Sequence, residues 1–197
     1  FANNEENRIV SSFDDDLGQF VDRNVGSVER FGAEGSIGWS PIEALSLYAS
    51  ATWLQSEVQD NYVNNTVGGI PQIVLTKGKE LVETPEWMAS ARINYQFTEY
   101  LEAGLQAKYT GERWVTDVND MSSDAFTTVD ANIRLDMAAF GYEGTFLQVN
   151  ADNIFDEQYY ANLGTRASST PGTPGFSQPF ASVGAPRTIS ATLRVAF

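Results

Sequence analysis

The chain has 197 residues, with 12 Lys and Arg against 26 Asp and Glu, a formal net charge of −14, and neither Cys nor His. The acid excess argues against nucleic acid as a partner, because phosphates attract bases and repel carboxylates. Without Cys there is no disulfide, thiolate metal site or Cys nucleophile, and without His the usual general base, the serine-protease triad and most zinc sites are missing.

The longest apolar run, Met137–Phe140, has four residues, whereas a spanning helix needs roughly 20. A mean hydropathy of −0.26 suits a soluble protein and a transmembrane β-barrel equally, since only alternate barrel residues meet lipid. The chain opens Phe1-Ala2-Asn3 with no initiator Met or signal segment, which predicts a processed chain or part of a longer one.

Taken in order, the chain reads as strands at 7–13, 19–40, 44–57, 86–98, 101–116, 125–137, 143–152 and 186–197. The warrant is a period of two. Phe31, Ala33, Gly35, Ile37 and Trp39 share one face, opposite Arg30, Glu34 and Ser36. Leu45, Leu47, Ala49, Ala51 and Trp53 oppose Ser46, Ser50 and Thr52. Trp87 to Phe97 and Leu101 to Tyr109 repeat the pattern, with Arg92, Glu102 and Lys108 on the polar side. So do Thr127 to Met137, opposite Asp130, Arg134 and Asp136, and Thr145 to Ala151, opposite Gln148 and Asn150. At the end, Ile189, Ala191, Leu193, Val195 and Phe197 oppose Thr188, Ser190, Thr192 and Arg194. No position on these neutral faces is charged in a chain that is 19% charged. The faces are rich in Ala and Gly with aromatics near the strand ends, which suits lipid and interfacial belts.

The connections alternate in length. Pro41–Glu43, Glu99–Tyr100 and Ala138–Tyr142 are short, whereas Val58–Pro85, Asp117–Asp124 and Asn153–Ala185 are longer, with Asp14–Gly18 taking the remaining place. Tight periplasmic turns and longer extracellular loops give that rhythm in an up-and-down outer-membrane barrel. The fold class expected is therefore all-β, an antiparallel up-and-down transmembrane β-barrel with its neutral faces towards lipid.

Several segments resemble the TonB-dependent outer-membrane receptors. They are Asn24-Val25-Gly26 followed by Arg30-Phe31-Gly32-Ala33-Glu34 and Trp39-Ser40-Pro41, then Thr84-Pro85 before Trp87. The fullest match is Val149-Asn150-Ala151-Asp152-Asn153-Ile154-Phe155-Asp156 with Tyr159-Tyr160, followed by Gly184-Ala185-Pro186-Arg187 and the closing strand to Phe197. The resemblance covers nearly the whole chain. It implies about eight C-terminal strands of a larger barrel of about 22 strands, with residues 1–197 as the C-terminal barrel segment and the plug absent. It further implies active import of a large solute, such as a ferric siderophore or a saccharide, in the outer membrane of a Gram-negative bacterium. Its partners would be outer-membrane lipid and lipopolysaccharide, the energy-coupling TonB protein acting through the missing plug, the barrel-assembly machinery and the imported solute. It implies no enzyme activity and no cofactor. A complete small eight-stranded structural or adhesin-like barrel, and a soluble β-sandwich, are the competing readings.

Candidate ligand contacts lie in the long loops: Tyr62, Lys77 and Lys79 in one, Tyr159, Tyr160 and Arg166 in the other. Aromatics with isolated bases could hold a ferric siderophore or a saccharide. Ile189, Ala191, Leu193, Val195 and Phe197 resemble the terminal signal recognised by the assembly machinery. Other motifs carry less. Gly32, Gly35 and Gly38 have the wrong spacing for a dinucleotide fingerprint and sit within a strand. Asp117, Asn119, Asp120 and Asp124 lack the Gly and bidentate Glu of a calcium loop, so no metal is assigned and a solvated acidic loop is expected. Asp14-Asp15-Asp16 reads as a solvated hairpin tip. Asp130 and Asp136 are expected to pair with Arg134 or a neighbouring base and not to act as a glycosidase pair.

Overall fold

The computed structural model describes residues 1–14, 19–24 and 26–196. The chain opens with β1 (Ala2–Glu5) and then a separate ribbon, β2 (Ile9–Asp14) and β3 (Gln19–Asn24). The two longest strands follow, β4 (Val28–Ile42) and β5 (Leu45–Val58). A second ribbon, β6 (Tyr62–Val67) and β7 (Ile70–Val74), precedes β8 (Trp87–Thr98) and β9 (Leu101–Thr110). A third, β10 (Arg113–Trp114) and β11 (Ser122–Ser123), precedes β12 (Phe126–Asp136). A 3-10 turn at Met137–Phe140 leads to β13 (Phe146–Asp152), the ribbon of β14 (Tyr160–Gly164) and β15 (Phe180–Val183), and finally β16 (Thr188–Arg194).

Eight of these strands form one sheet in the order β1-β4-β5-β8-β9-β12-β13-β16. Every neighbouring pair is antiparallel, so with the ribbons set aside the sheet is an up-and-down meander. Its register aligns the neutral positions of successive strands. One row runs Trp39, Leu47, Ile93, Leu105, Ala131, Ala151, Ile189, and a second runs Ile37, Ala49, Ala91, Ala107, Val129. Because side chains alternate, a slip of one residue would turn that strand's opposite, polar face into these rows.

No second sheet covers this face among the described residues. Ile37, Leu105 and Ile189 remain 67%, 48% and 70% exposed. Ile93 and Val195 are exposed and Leu45 and Leu135 half-buried, so these four share no enclosed core. The buried clusters, Val28 with Val58 and Leu81, and Tyr62 with Val74 and Ala167, lie instead where the long connections meet the sheet. A soluble sandwich would bury the neutral rows between two sheets.

The opposite face is polar. Ser46, Asn94, Gly104, Asn132, Asn150 and Ser190 form one row. A side chain on Gly104 would strike the amides of Asn94 and Asn132. Ser50 and Ser90 share a 2.8 Å hydrogen bond, and Arg92 donates to Gln106 at 2.9 Å. Asp130 meets a neighbouring base as expected, whereas Asp136 does not pair with Arg134. Arg134 stacks on Phe146 at 3.8 Å, Asp130 faces Lys108 at 3.9 Å, and Asp136 caps the 3-10 turn by accepting from the Ala138 amide. A guanidinium can lie flat on a ring with little loss of hydration, which competes well with an exposed ion pair.

Three strand boundaries also differ from the sequence reading. The expected strands 7–13 and 19–40 are divided. Ala2–Glu5 pairs with the start of β4, and the segment 9–24 forms its own ribbon. The break is at Gly26, whose φ of +89° ends the extended run, while Ser27 donates through N and Oγ to Asp60. The strand expected at 101–116 stops at Thr110, because Gly111 lies against the Trp87 backbone and the chain then turns into β10. The strand expected to end at Met137 stops at Asp136, with Gly141 closing the turn at φ +85°. Val25, Asp15, Asp16 and Phe197 lie outside the described residues.

The edge of β4 beyond Gly32 is unpaired among the described residues. Hydrocarbon cannot satisfy such an edge.

Candidate functional site

Three connections, 59–86, 111–125 and 153–187, leave the same end of the sheet and fold onto one another. The connection after β5 turns back first: the Val58 amide donates to the Lys79 carbonyl, the Gly78 amide to the Val58 carbonyl, and the Leu81 amide to Ser56 Oγ. These bonds seat Leu81 on Val28 and Val58. Beyond them β6 and β7 pair Tyr62 with Val74, and Ala167 from the last loop completes a buried cluster. Val118 from the middle loop packs against it. The Tyr62 hydroxyl donates to Asp117 Oδ2 at 2.8 Å, joining the first loop to the second.

The middle connection is short but rich in acceptors. Asn119, at φ +55°, accepts from the Glu80 amide at 2.7 Å and donates to the Glu80 carbonyl at 3.0 Å. Trp114 Nε1 donates to Glu80 Oε2. The Glu83 amide donates to the Trp114 carbonyl, while its carboxylate accepts from the Leu163 amide at 2.9 Å. Thr116 pairs with Arg166, so the second and third loops also share a backbone bridge.

Asp120 joins those two loops most densely. Its carboxylate accepts from Ser168 Oγ at 2.7 Å, from the Ser169 amide at 3.0 Å and hydroxyl at 2.9 Å, and from the Thr170 amide at 3.1 Å and hydroxyl at 2.7 Å. Burial opposes its charge, but the donated bonds outweigh it and hold the carboxyl well below the usual range. Asp117 behaves oppositely: burial raises it, and the bond from Tyr62 and the attraction of Arg8 only partly offset this. Asp117 is therefore a half-buried internal acceptor, whereas Asp120 stays exposed, as expected of a solvated acid, and still gathers bonds across two loops. Among the described residues no group of three or more such side chains converges on a cation position.

The base of the last loop is tied by Asn153, buried at φ +50°. Its Nδ2 donates to the carbonyls of Glu157 at 2.9 Å and Ala185 at 3.0 Å, its Oδ1 accepts from the Glu157 amide, and its own amide donates to Asp130 on the sheet. The Asn-Ile-Phe-Asp motif thus closes the loop like a clasp, with Asp156 accepting from the Arg187 amide.

The candidate ligand contacts lie around this cap. Lys77 and Tyr160 are exposed and Lys79 is half-buried. Tyr159 stacks on Phe126, rings 4.3 Å apart and 18° from parallel. Arg166 lies over Phe180 at 5.0 Å and donates to Ser177 and the Thr165 carbonyl. Tyr62 is buried beneath them. Ile189, Ala191 and Leu193 stand on the neutral face of β16, each opposite a neutral residue of β13.

Arg113 was not singled out by sequence. It is 8% exposed, donates to the carbonyls of Tyr160 at 2.5 Å and Ala161 at 3.4 Å, and lies 5.6 Å from the centre of the Phe126 ring. Its Nε has no hydrogen-bond partner among the described residues. The one available cue was a base directly beyond the last neutral position of its strand. Asp120 gave no local cue, because its donors lie 48 to 50 residues away. A recess of about 810 Å³ also opens beside the cap, lined by Asn3, Arg30, Ser56, Glu57, Glu80 and Glu86, and its base Arg30 already holds Glu5 at 2.7 Å.

Comparison with known proteins agrees with this architecture. Residues 1–154 match the family model described as TonB dependent receptor-like, beta-barrel. The chain is 33% identical over 86 residues to the ferrioxamine receptor of Yersinia enterocolitica, covering 43% of this chain and 12% of that protein. It is 31% identical over 90 residues to the ferrichrome outer membrane transporter/phage receptor of Escherichia coli K12, covering 44% and 12%. It therefore spans about an eighth of each of these relatives. In fold it resembles the siderophore receptor PiuA of Acinetobacter baumannii, with a TM-score of 0.70 at 18% identity over 98% of this chain and 24% of that one. The ferric yersiniabactin uptake receptor FyuA of Yersinia pestis gives 0.68 at 19% identity over 90% and 25%. The chain belongs to the TonB-dependent receptor β-barrel family, whose members are receptors of the Gram-negative outer membrane and not enzymes.

Proposed function

We propose that these residues form the C-terminal barrel wall and extracellular cap of a receptor that imports a ferric siderophore through the outer membrane. The observation carrying this reading is the cap itself. Three long connections fold together at one end of a lipid-facing sheet and leave Tyr160 and Lys77 outward, with Tyr159 and Arg166 half-exposed beside them. The two curated relatives are named as receptors for ferrioxamine and for ferrichrome. In this reading Tyr159, Tyr160, Arg166, Lys77 and Lys79 meet the complex, and Tyr62 supports them from below. A plug domain elsewhere in the receptor, coupled to TonB, supplies the energy. Lipid and lipopolysaccharide surround the neutral rows, and Ile189, Ala191, Leu193, Val195 and Phe197 present the closing strand to the assembly machinery.

The experiment is iron uptake by a strain lacking the full-length receptor, supplied in turn with ferrioxamine, ferrichrome and a ferric catecholate. Loss of radioiron uptake from ferrioxamine or ferrichrome, restored by the gene and abolished by a protonophore, is expected. Unchanged uptake of every ferric complex by the deletion strain would refute the reading.

A further inference from the structure

Long loops are usually treated as separate flaps, each with its own local stability. Here each is bonded to the other two. Tyr62 of the first reaches Asp117 of the second, and Glu83 of the first reaches Leu163 of the third. Asn119 and Trp114 hold Glu80, and Asp117 and Val118 donate amides to the carbonyls of Arg166 and Ala167. The small apolar cluster takes Tyr62 and Val74 from the first loop and Ala167 from the third, with Val118 of the second against it. Asp120 then gathers five donors from three consecutive residues of the last loop. Charge-assisted bonds are the stronger class, and opening between these loops would break all five at once.

We propose that the connections 59–86, 111–125 and 153–187 form a single lid that moves as one body over the barrel mouth, with Asp120 as the latch that prevents it from parting into flaps. What the lid covers rests on the import reading; its unity does not. Any motion that admits a ligand then occurs at the junctions with the sheet, near Gly111 and Asn153, and not between the loops.

The test uses the full-length receptor in its own outer membrane. These residues contain no Cys, so Asp120→Cys with Ser168→Cys places a thiol pair where two side chains already touch at 2.7 Å. On oxidation the disulfide should form, read by thiol alkylation, and uptake of the ferric siderophore should stay within about twofold of the reduced receptor. A cross-linked receptor that loses uptake by about tenfold or more and regains it with reductant would overturn the proposal, because the loops would then have to part. Asp120→Asn gives a readout independent of transport: amide hydrogen exchange should rise in 62–76 and 114–119 as well as in 166–170. A rise confined to 166–170 would also refute a single lid. A receptor that carries no ferric siderophore would refute the import reading alone, since cross-linking and exchange still decide the lid.

Discussion

The Asn153 side chain donates to the carbonyl of Ala185 across 32 residues of sequence, so one amide fixes both ends of the longest loop. The same side chain exchanges bonds with Glu157 in both directions. Asn tolerates the left-handed backbone better than most residues, which is why this type can occupy the corner.

Asn153→Ala should therefore remove three side-chain bonds and add left-handed strain, a local loss of about 2–4 kcal/mol. The measurement is amide exchange at 157–160 in the full-length receptor. Faster exchange there, with the sheet amides of 146–151 unchanged, is the expected result.

Leu105 and Gln106 are neighbours on opposite faces of β9. Leu105→Lys should place a charge in hydrocarbon at a cost of about 2–4 kcal/mol and lower the amount of assembled receptor. Gln106→Glu puts a charge on the polar face while keeping an acceptor for Arg92 and should leave that amount unchanged. Heat-modifiable mobility in gels, which separates folded from unfolded barrels, distinguishes the two.

Asp117 and Asp120 predict opposite responses to acid. The carboxyl of Asp117 is raised above 3.8 in the folded cap. Its contribution to stability is thus greatest below the unfolded value and falls as pH rises through the folded one. Asp117→Asn keeps an acceptor for Tyr62 without a buried charge, and at neutral pH it should slow cap exchange or leave it unchanged. Asp120 is lowered, so its contribution is present above the unfolded value and is lost only on strong acidification. Cap exchange followed from pH 7 down to about 4 should show the latch intact throughout that window.

Gly184 lies where any side chain would collide with the Tyr159 ring. Gly184→Ala should displace Tyr159 from Phe126 and weaken siderophore binding by roughly 2- to 10-fold, the usual worth of an aromatic pair. The level of assembled receptor should not change. Binding to whole cells, normalised to receptor abundance, measures it.

Much of the wall was legible because its signal is local. The neutral residues from Leu45 to Trp53 and from Trp87 to Tyr95 recur every second position, and the structure pairs them directly. The Asn153 motif was visible as a resemblance, although its bonding was not. The cap escaped because its contacts are distant in sequence: nothing near Asp120 announces Ser168, and nothing near Glu83 announces Leu163. The 9–24 ribbon misled for a related reason. Its alternation is real, but periodicity cannot say whether a strand joins the main sheet or only its own neighbour.

Because Ala2–Glu5 already lies edge to edge with Val28 to Phe31, everything between Ile9 and Asn24 is an excursion from the wall. Its length can drift over evolution, or accept an inserted epitope, without adding or removing a stave and so without altering the bore of the barrel.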